Sequence, residues 1–283
     1  MKLGIVCEGG GTKAAYTSGV LLALLDYDVI SDYCVGISAG AENLLPYVSR
    51  QKDRLRITGI DAPSNPGAVG IRPFLKEHSI FGLEETVRFI EERTPLDYDT
   101  FFNSKTELDI GVYNVNTGKV EYYSKDHLDK EQNLLKASCA LLLLTKPYKF
   151  NNELYMDAGL VDMISIEQSI KAGCDKHIFI STKEENYIRK PAPNYQIRLA
   201  KMRYPKYPHI AEDLKLRHVR YNEQWAKVKQ LESEGKALVL RPSADYGISR
   251  YTNDRSKLEP WFQLGYDDTV ERMAKIKKFI EQD

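Results

Sequence analysis

The strongest constraint on this chain's fold is one pattern written twice near its N-terminus. Leu3 to Cys7 (LGIVC) is a short apolar, β-favouring run that breaks at Gly9-Gly10-Gly11, and from Thr12 to Leu25 (TKAAYTSGVLLALL) alanine and leucine recur at helical spacing. Tyr33 to Ile37 (YCVGI) repeats it: the apolar run stops at Ser38, and Ala39 to Ser49 reads as the next helix, with a kink expected at Pro46. Strands joined through helices pair in parallel by right-handed crossovers, which puts helices on the faces of the sheet.

The rest of the chain extends that plan. Leu83 to Arg93 is an amphipathic helix. Leu108 to Asn114 and Lys119 to Tyr123, separated by VNTG, read as a hairpin, as do Tyr148 to Phe150 and Leu154 to Met156 around Asn151-Asn152. Leu134 to Leu144 and Ile166 to Ala172 read as helices. His177 to Ser181 reads as a buried parallel strand, Ala237 to Arg241 as a last strand and Asp267 to Ile280 as a terminal helix. Ile57 to Pro73, rich in Gly, Pro and Asn without a period, is expected to be a mobile loop near the mouth of a site. The fold class is α/β: a three-layer α/β/α sandwich around a mostly parallel central sheet. Residues 1–183 form its core, and residues 184–283 are a helical and strand extension packed on that core.

Composition narrows the function classes. With 283 residues, 42% of them apolar, the chain can bury a large core. Its 40 basic and 40 acidic residues cancel, so a nucleic-acid partner is not expected. Residues 187–229 depart from that balance, with Lys and Arg far outnumbering acids and with interleaved Tyr and Trp. Such a segment reads as a solvated helical face, as a contact with an anionic membrane surface or as a nucleic-acid contact. Cys7, Cys34, Cys139 and Cys174 lie far apart without metal-ligand spacing and read as free thiols in a reducing cytoplasm. The N-terminal apolar run is too short for a signal peptide, and the longest apolar stretch, around Cys139 to Leu144, is too short to span a bilayer. The expectation is a cytoplasmic protein, peripheral at the membrane at most.

Three glycine-centred sites carry the chemistry. Gly36-Ile37-Ser38-Ala39-Gly40 has the form GxSxG between a strand and a helix, the context of a nucleophile elbow; the competing reading is a serine that caps a helix. Gly9-Gly10-Gly11 would suit a dinucleotide turn, but the second strand ends in Gly36-Ile37-Ser38 where that fold needs a ribose-binding acid, and a P-loop sequence is absent. What remains is an anion-binding turn at the mouth of the neighbouring strand, where an oxyanion hole belongs. His78, His127, His177, His209 and His218 lack the context of a triad base. Asp157, in Asp157-Ala158-Gly159, follows a strand and sits at a tight turn among apolar neighbours, where burial would make it a stronger base.

Taken together the three sites resemble the patatin-like phospholipases, whose pattern is GGGxRG, then GxSxG, then DG[GA]. Gly9 to Ala14 matches the first element with Lys13 for Arg, Gly36 to Gly40 matches the second outright, and Asp157-Ala158-Gly159 matches the third with Ala in the middle. The segment from Leu135 to Thr182 also looks like the family's stretch around its second catalytic residue, and the tail looks like that of small bacterial members. The resemblance implies a catalytic dyad of Ser38 and Asp157, an oxyanion hole from Gly9, Gly10 and Gly11, and supporting roles for Lys13, Gly36, Gly40 and Gly159. It implies no cofactor, no metal and a lipid or other acyl-ester substrate, which places the membrane ahead of nucleic acid as the contact for residues 187–229 because that substrate would sit there. A catalytically silent lipid- or protein-binding module with the same fold is the competing reading. Ala158 brings a Cβ that would oppose a positive φ in the turn, and Lys13 keeps the charge of arginine without its planar fork.

Overall fold

The computed structural model describes residues 1–282. Strand β1 (Leu3–Cys7) is wholly buried and leads through a 3₁₀ turn (Gly11–Ala14) into α1 (Ala15–Asp26). Strand β2 (Tyr33–Ile37), also wholly buried, leads into α2 (Ala39–Val48), which contains Pro46. The expected loop at 57–73 is instead mostly helical: α3 (Lys52–Arg56), a π turn (Ile57–Asp61) and α4 (Ala62–Ser64) run on from one another, and α5 (Ile71–Glu77) follows. Gly59, in the π turn, serves packing, because a Cβ there would stand 2.5 Å from Ser18 Oγ. Helices α6 (Leu83–Arg93) and α7 (Tyr98–Asn103) complete this part.

Next come β3 (Glu107–Asn114), β4 (Val120–Ser124), α8 (Asn133–Ser138), β5 (Tyr148–Phe150) and β6 (Glu153–Asp157). The helix expected over 134–144 stops at Ser138. The Ala140 carbonyl is taken by the backbone N–H of Asp157 at 2.9 Å, and Leu143 adopts a φ of 68°, so the leucines beyond it turn toward open cavities instead of continuing the helix. The chain closes with α9 (Ile166–Lys171), β7 (Lys176–Ile180), α10 (Asn194–Arg203), α11 (Pro208–Ser233), β8 (Ala237–Leu240), α12 (Arg255–Glu271) and α13 (Met273–Glu281). The terminal helix therefore begins earlier than Asp267, at a cap where Asp254 accepts from the N–H of Ser256, and it breaks at Arg272.

The eight strands form one sheet in the order β5-β6-β3-β2-β1-β7-β8, with β4 paired to β3. The run from β3 to β8 is parallel, while β4, β5 and β6 are antiparallel to their neighbours. Alternation along β1 sets the layers. Ile5 and Cys7 point to one face, where Leu21, Leu44, Leu135 and Trp261 pack, and Val6 points to the other, with Ile166, Trp225 and Val228. On the first face α1 and α12 meet at very close range: a Cβ on Gly265 would lie 2.2 Å from the Tyr16 carbonyl oxygen.

Candidate active site

The register on β3 brings two distant segments together. Strand β4 pairs with Asp109 to Tyr113 along one edge of β3, so β2 and β6 share the other. On that edge the last residue of β2, Ile37, lies opposite Gly111, and the last residue of β6, Asp157, lies opposite Val112. Consecutive partners on one strand are about 3.3 Å apart. Strand ends therefore deliver Ser38 and Asp157 to the same point, although they come from separate halves of the family pattern.

Ser38 sits at φ 54° and ψ −137°, a backbone region that side chains other than hydrogen rarely occupy. Its hydroxyl makes no capping bond to α2, so the helix-cap reading does not describe it. The flanking glycines are what allow so sharp a turn. A Cβ on Gly40 would come within 2.5 Å of the Cys7 carbonyl oxygen and 2.7 Å of that of Glu8, and one on Gly36 within 2.8 Å of the Ala41 nitrogen. Small residues two before and two after the serine thus let the elbow press against β1. The backbone N–H of Ser38 donates to Ser138 Oγ at 2.9 Å, and Ser138 Oγ donates to the Gly111 carbonyl at 2.7 Å, which pins the elbow to β3.

Asp157 is buried, and burial raises its pKa above the usual carboxylate range; the Ser38 hydroxyl, the N–H of Gly159, Arg217 and Arg250 pull it back down. The Gly159 N–H donates to Asp157 Oδ1 at 2.7 Å, and a Cβ on Gly159 would stand only 2.8 Å from that oxygen. Ala158 lies in a 3₁₀ turn without a positive φ, so its Cβ is accommodated and the expected conflict does not arise. Behind the turn Arg217 Nε donates to the Gly159 carbonyl at 2.6 Å.

Gly9, Gly10, Gly11 and Lys13 line the same chamber as Ser38 and Asp157. Gly11 holds a φ of 57°. The turn is fixed from outside: the Thr12 N–H donates to the Arg250 carbonyl at 3.3 Å, and Trp261 Nε1 donates to the Lys13 carbonyl at 2.8 Å. Beneath it Glu8 is buried and accepts from the Thr182 N–H at 2.5 Å, Thr182 Oγ1 at 2.9 Å, Ser181 Oγ at 3.0 Å and Tyr221 OH at 3.2 Å. None of the five histidines lines the chamber. His177, whose burial lowers its pKa to about 4, instead bonds Ser169 Oγ through Nδ1 at 2.9 Å.

Sequence reasoning missed Ser138, Glu8, Lys183, Arg189, Arg217 and Arg250. Ser138 stands inside the Leu135–Thr182 stretch but carries no motif of its own. Arg189 and Arg217 belong to the basic segment and Arg250 lies beyond it, and nothing in their spacing says that they turn inward. A second, apolar chamber opens from the other side of Ser38, lined by Pro63, Phe81, Leu83, Val87, Leu135 and Leu141 among others. Glu42, on the first turn of α2, faces it, and burial raises its pKa to about 7.

The fold and site together define an α/β/α protein with a serine on a strained strand-to-helix turn beside a buried aspartate. The family model for patatin-like phospholipases matches residues 5–170, and a model for a domain of unknown function, DUF6363, matches residues 207–281. The chain belongs to the patatin-like phospholipase family. It is 24% identical over 189 residues to the uncharacterized protein YjjU of Escherichia coli strain K12, covering 64% of this chain and 52% of that one. The chain thus spans about half the length of that relative. Among solved structures it is similar to VipD from Legionella pneumophila, with TM-score 0.50, 14% identity, and coverage of 97% of this chain and 67% of that one. It is also similar to human GIVD cytosolic phospholipase A2, solved with a methyl γ-linolenyl fluorophosphonate inhibitor and terbium chloride. That match has TM-score 0.52 and 11% identity, and covers 98% of this chain and 58% of the human one. Both share the fold of a mostly parallel sheet flanked by helices. Among the described residues no helix is long and apolar enough to cross a membrane.

Proposed function

We propose that this protein is a serine acyl-ester hydrolase of the phospholipase type, with Ser38 as nucleophile and Asp157 as its only proton acceptor. The observation that carries the reading is the shared edge of β3, which supports direct proton transfer between residues that end two neighbouring strands. Asp157 Oδ takes the hydroxyl proton as Ser38 Oγ bonds the ester carbonyl carbon, and the carbonyl π electrons move onto oxygen. The oxyanion meets the backbone donors of Gly9 to Gly11, since the Ser38 N–H is already committed to Ser138. When the carbon–alkoxy bond breaks, Asp157 returns its proton to the leaving alcohol. Water then attacks the acyl-enzyme and gives a proton to Asp157, which passes it to Ser38 Oγ as the acyl carbon–Oγ bond breaks and the fatty acid is freed. Buried and raised in pKa yet still held by Gly159 and Arg217, the Asp157 carboxylate is a stronger base than a solvated aspartate.

The apolar chamber suits an acyl chain. Its neighbour, a groove lined by Ile80, Leu142, Leu143, Tyr195, Leu199 and Tyr251, opens to solvent beside Asp157 and suits contact with a lipid surface. With Met202 also exposed on α10, peripheral membrane contact through residues 187–229 belongs to this proposal. Leu199→Asp combined with Met202→Asp is expected to reduce co-sedimentation with anionic phospholipid vesicles; unchanged partition would count against it. The test of the function itself is Ser38→Ala, which is expected to abolish hydrolysis of a short acyl ester while the circular dichroism spectrum stays the same. Turnover at the wild-type rate would refute it.

A further inference from the structure

The chamber on the Asp157 side of Ser38 carries more positive charge than ester hydrolysis uses. Lys13, Lys183, Arg189, Arg217 and Arg250 line it, against the carboxylates of Glu8 and Asp157. Lys183 is paired with Glu8 at 3.6 Å, and Arg217 spends its Nε on the Gly159 carbonyl. Lys13, Arg189 and Arg250 have no acidic partner within ion-pair distance among the described residues. Arg189 is also left with an Nε that is buried and bonds nothing, its guanidinium lying over the Tyr221 ring at 4.7 Å.

These side chains are held in place. The N–H of Arg189 donates to Asn222 Oδ1 at 3.1 Å and its carbonyl accepts from Asn222 Nδ2 at 3.2 Å, which fastens it to α11. The Arg250 carbonyl accepts from the Thr12 N–H, which fastens it to the glycine turn on the other wall. Like charges so confined repel one another. Burial lowers the pKa of Lys183 to about 8 against the pull of Glu8, with Lys13, Arg189 and Arg250 adding to it; burial and then Arg189 and Arg250 lower that of Arg217 to about 9. An anion entering the chamber would relieve that repulsion and satisfy the free guanidinium donors.

The two chambers share Gly11, Ser38 and Leu141, so an ester whose carbonyl lies at Ser38 has one arm in apolar surroundings and the other among cations. We propose, resting on the hydrolase reading above, that the alcohol part of the substrate carries a phosphate monoester, bound by Arg189 and Arg250, and that a cationic substituent on that phosphate is disfavoured. The phosphate oxygens take the place of the acidic partners that these arginines lack. A choline or similar ammonium group would have to enter beside the same uncompensated cations.

The test compares kcat/KM for one acyl chain carried by glycerol 3-phosphate, by glycerol and by glycerophosphocholine, in wild type, Arg189→Ala, Arg250→Ala and Arg189→Lys. The expected phosphate-to-glycerol ratio in wild type is at least about ten, as one charge-assisted hydrogen-bonding group would give. That ratio should fall about ten-fold in each alanine variant and be partly kept by Arg189→Lys. A ratio near one, a preference for the choline ester, or an equal loss on phosphate and glycerol esters would overturn the proposal; the last would mean that the arginines act only on the developing oxyanion. Calorimetric titration of Ser38→Ala protein with glycerol 3-phosphate and, separately, with inorganic phosphate gives a readout independent of hydrolysis. Binding of glycerol 3-phosphate that is lost in Ser38→Ala/Arg189→Ala supports the site even if no ester is cleaved, in which case the hydrolase reading alone fails. Binding of inorganic phosphate without any kinetic preference for the phosphate ester would make this a free-anion site and overturn the substrate assignment.

Discussion

Ser38→Gly should be more stable than Ser38→Ala, and because both lack the hydroxyl that faces Asp157 the difference rests on backbone geometry. At φ 54° and ψ −137° a residue with a Cβ is strained by about 1–3 kcal/mol, whereas glycine is not. Glycine also gives the unfolded chain more freedom, which takes back about 0.5–1 kcal/mol. The net gain of Ser38→Gly over Ser38→Ala is about 0.5–2 kcal/mol, since both variants lose the hydroxyl that faces Asp157. For a chain of this size each kcal/mol moves the midpoint by about 2–4 °C. Differential scanning calorimetry of wild type, Ser38→Ala and Ser38→Gly reads this directly. Ser38→Gly should melt a few degrees above Ser38→Ala. Melting of Ser38→Gly at or below that of Ser38→Ala would refute the strained elbow geometry.

Two further outcomes follow from the buried carboxyl groups. Arg217 lowers the pKa of Asp157, so Arg217→Met should raise it, and because the base must be ionised, the acid limb of the pH profile of kcat/KM should move to higher pH; an unmoved limb would mean that Arg217 does not act on the base. Glu42 binds its proton more tightly in the folded protein, with a pKa near 7 against 4.5 in the free side chain, so the stability it contributes is present below pH 4.5 and is lost as pH rises through 7. Melting temperatures of Glu42→Gln and wild type measured from pH 4.5 to 8 should therefore diverge in the variant's favour as pH rises, and parallel curves would place Glu42 in water rather than in the apolar chamber.

The two N-terminal strand–turn–helix units were legible because each is local: an apolar run, a glycine-lined turn and a helical period written consecutively. The hairpins at 108–123 and 148–156 were readable for the same reason. The π turn over Ile57–Asp61 was not, since glycine and proline signal loops and only tertiary packing reveals that Gly59 is small in order to fit against Ser18. Leucines at 141–144 looked like a helix's buried face but line cavities, a choice imposed by the bond from Asp157 to Ala140. For the candidate site, Ser38 and Asp157 could be named from motifs, while the closeness between them depends on β3 register, which no local pattern encodes. The arginines were hidden more deeply. Arg189, Arg217 and Arg250 were read with, or beyond, a basic face turned to solvent or membrane, and only the packing of α11 and of the loop after β8 turns them into the chamber.

The central claim, that Ser38 is activated by Asp157 alone, is tested most directly by intact mass and peptide mapping after treatment with an alkyl fluorophosphonate. Wild type should gain one phosphonyl adduct located on Ser38, and Asp157→Asn, folded and with the same elbow, should remain essentially unlabelled over the same time. Labelling of Asp157→Asn at the wild-type rate, or an adduct on any residue other than Ser38, would contradict the account.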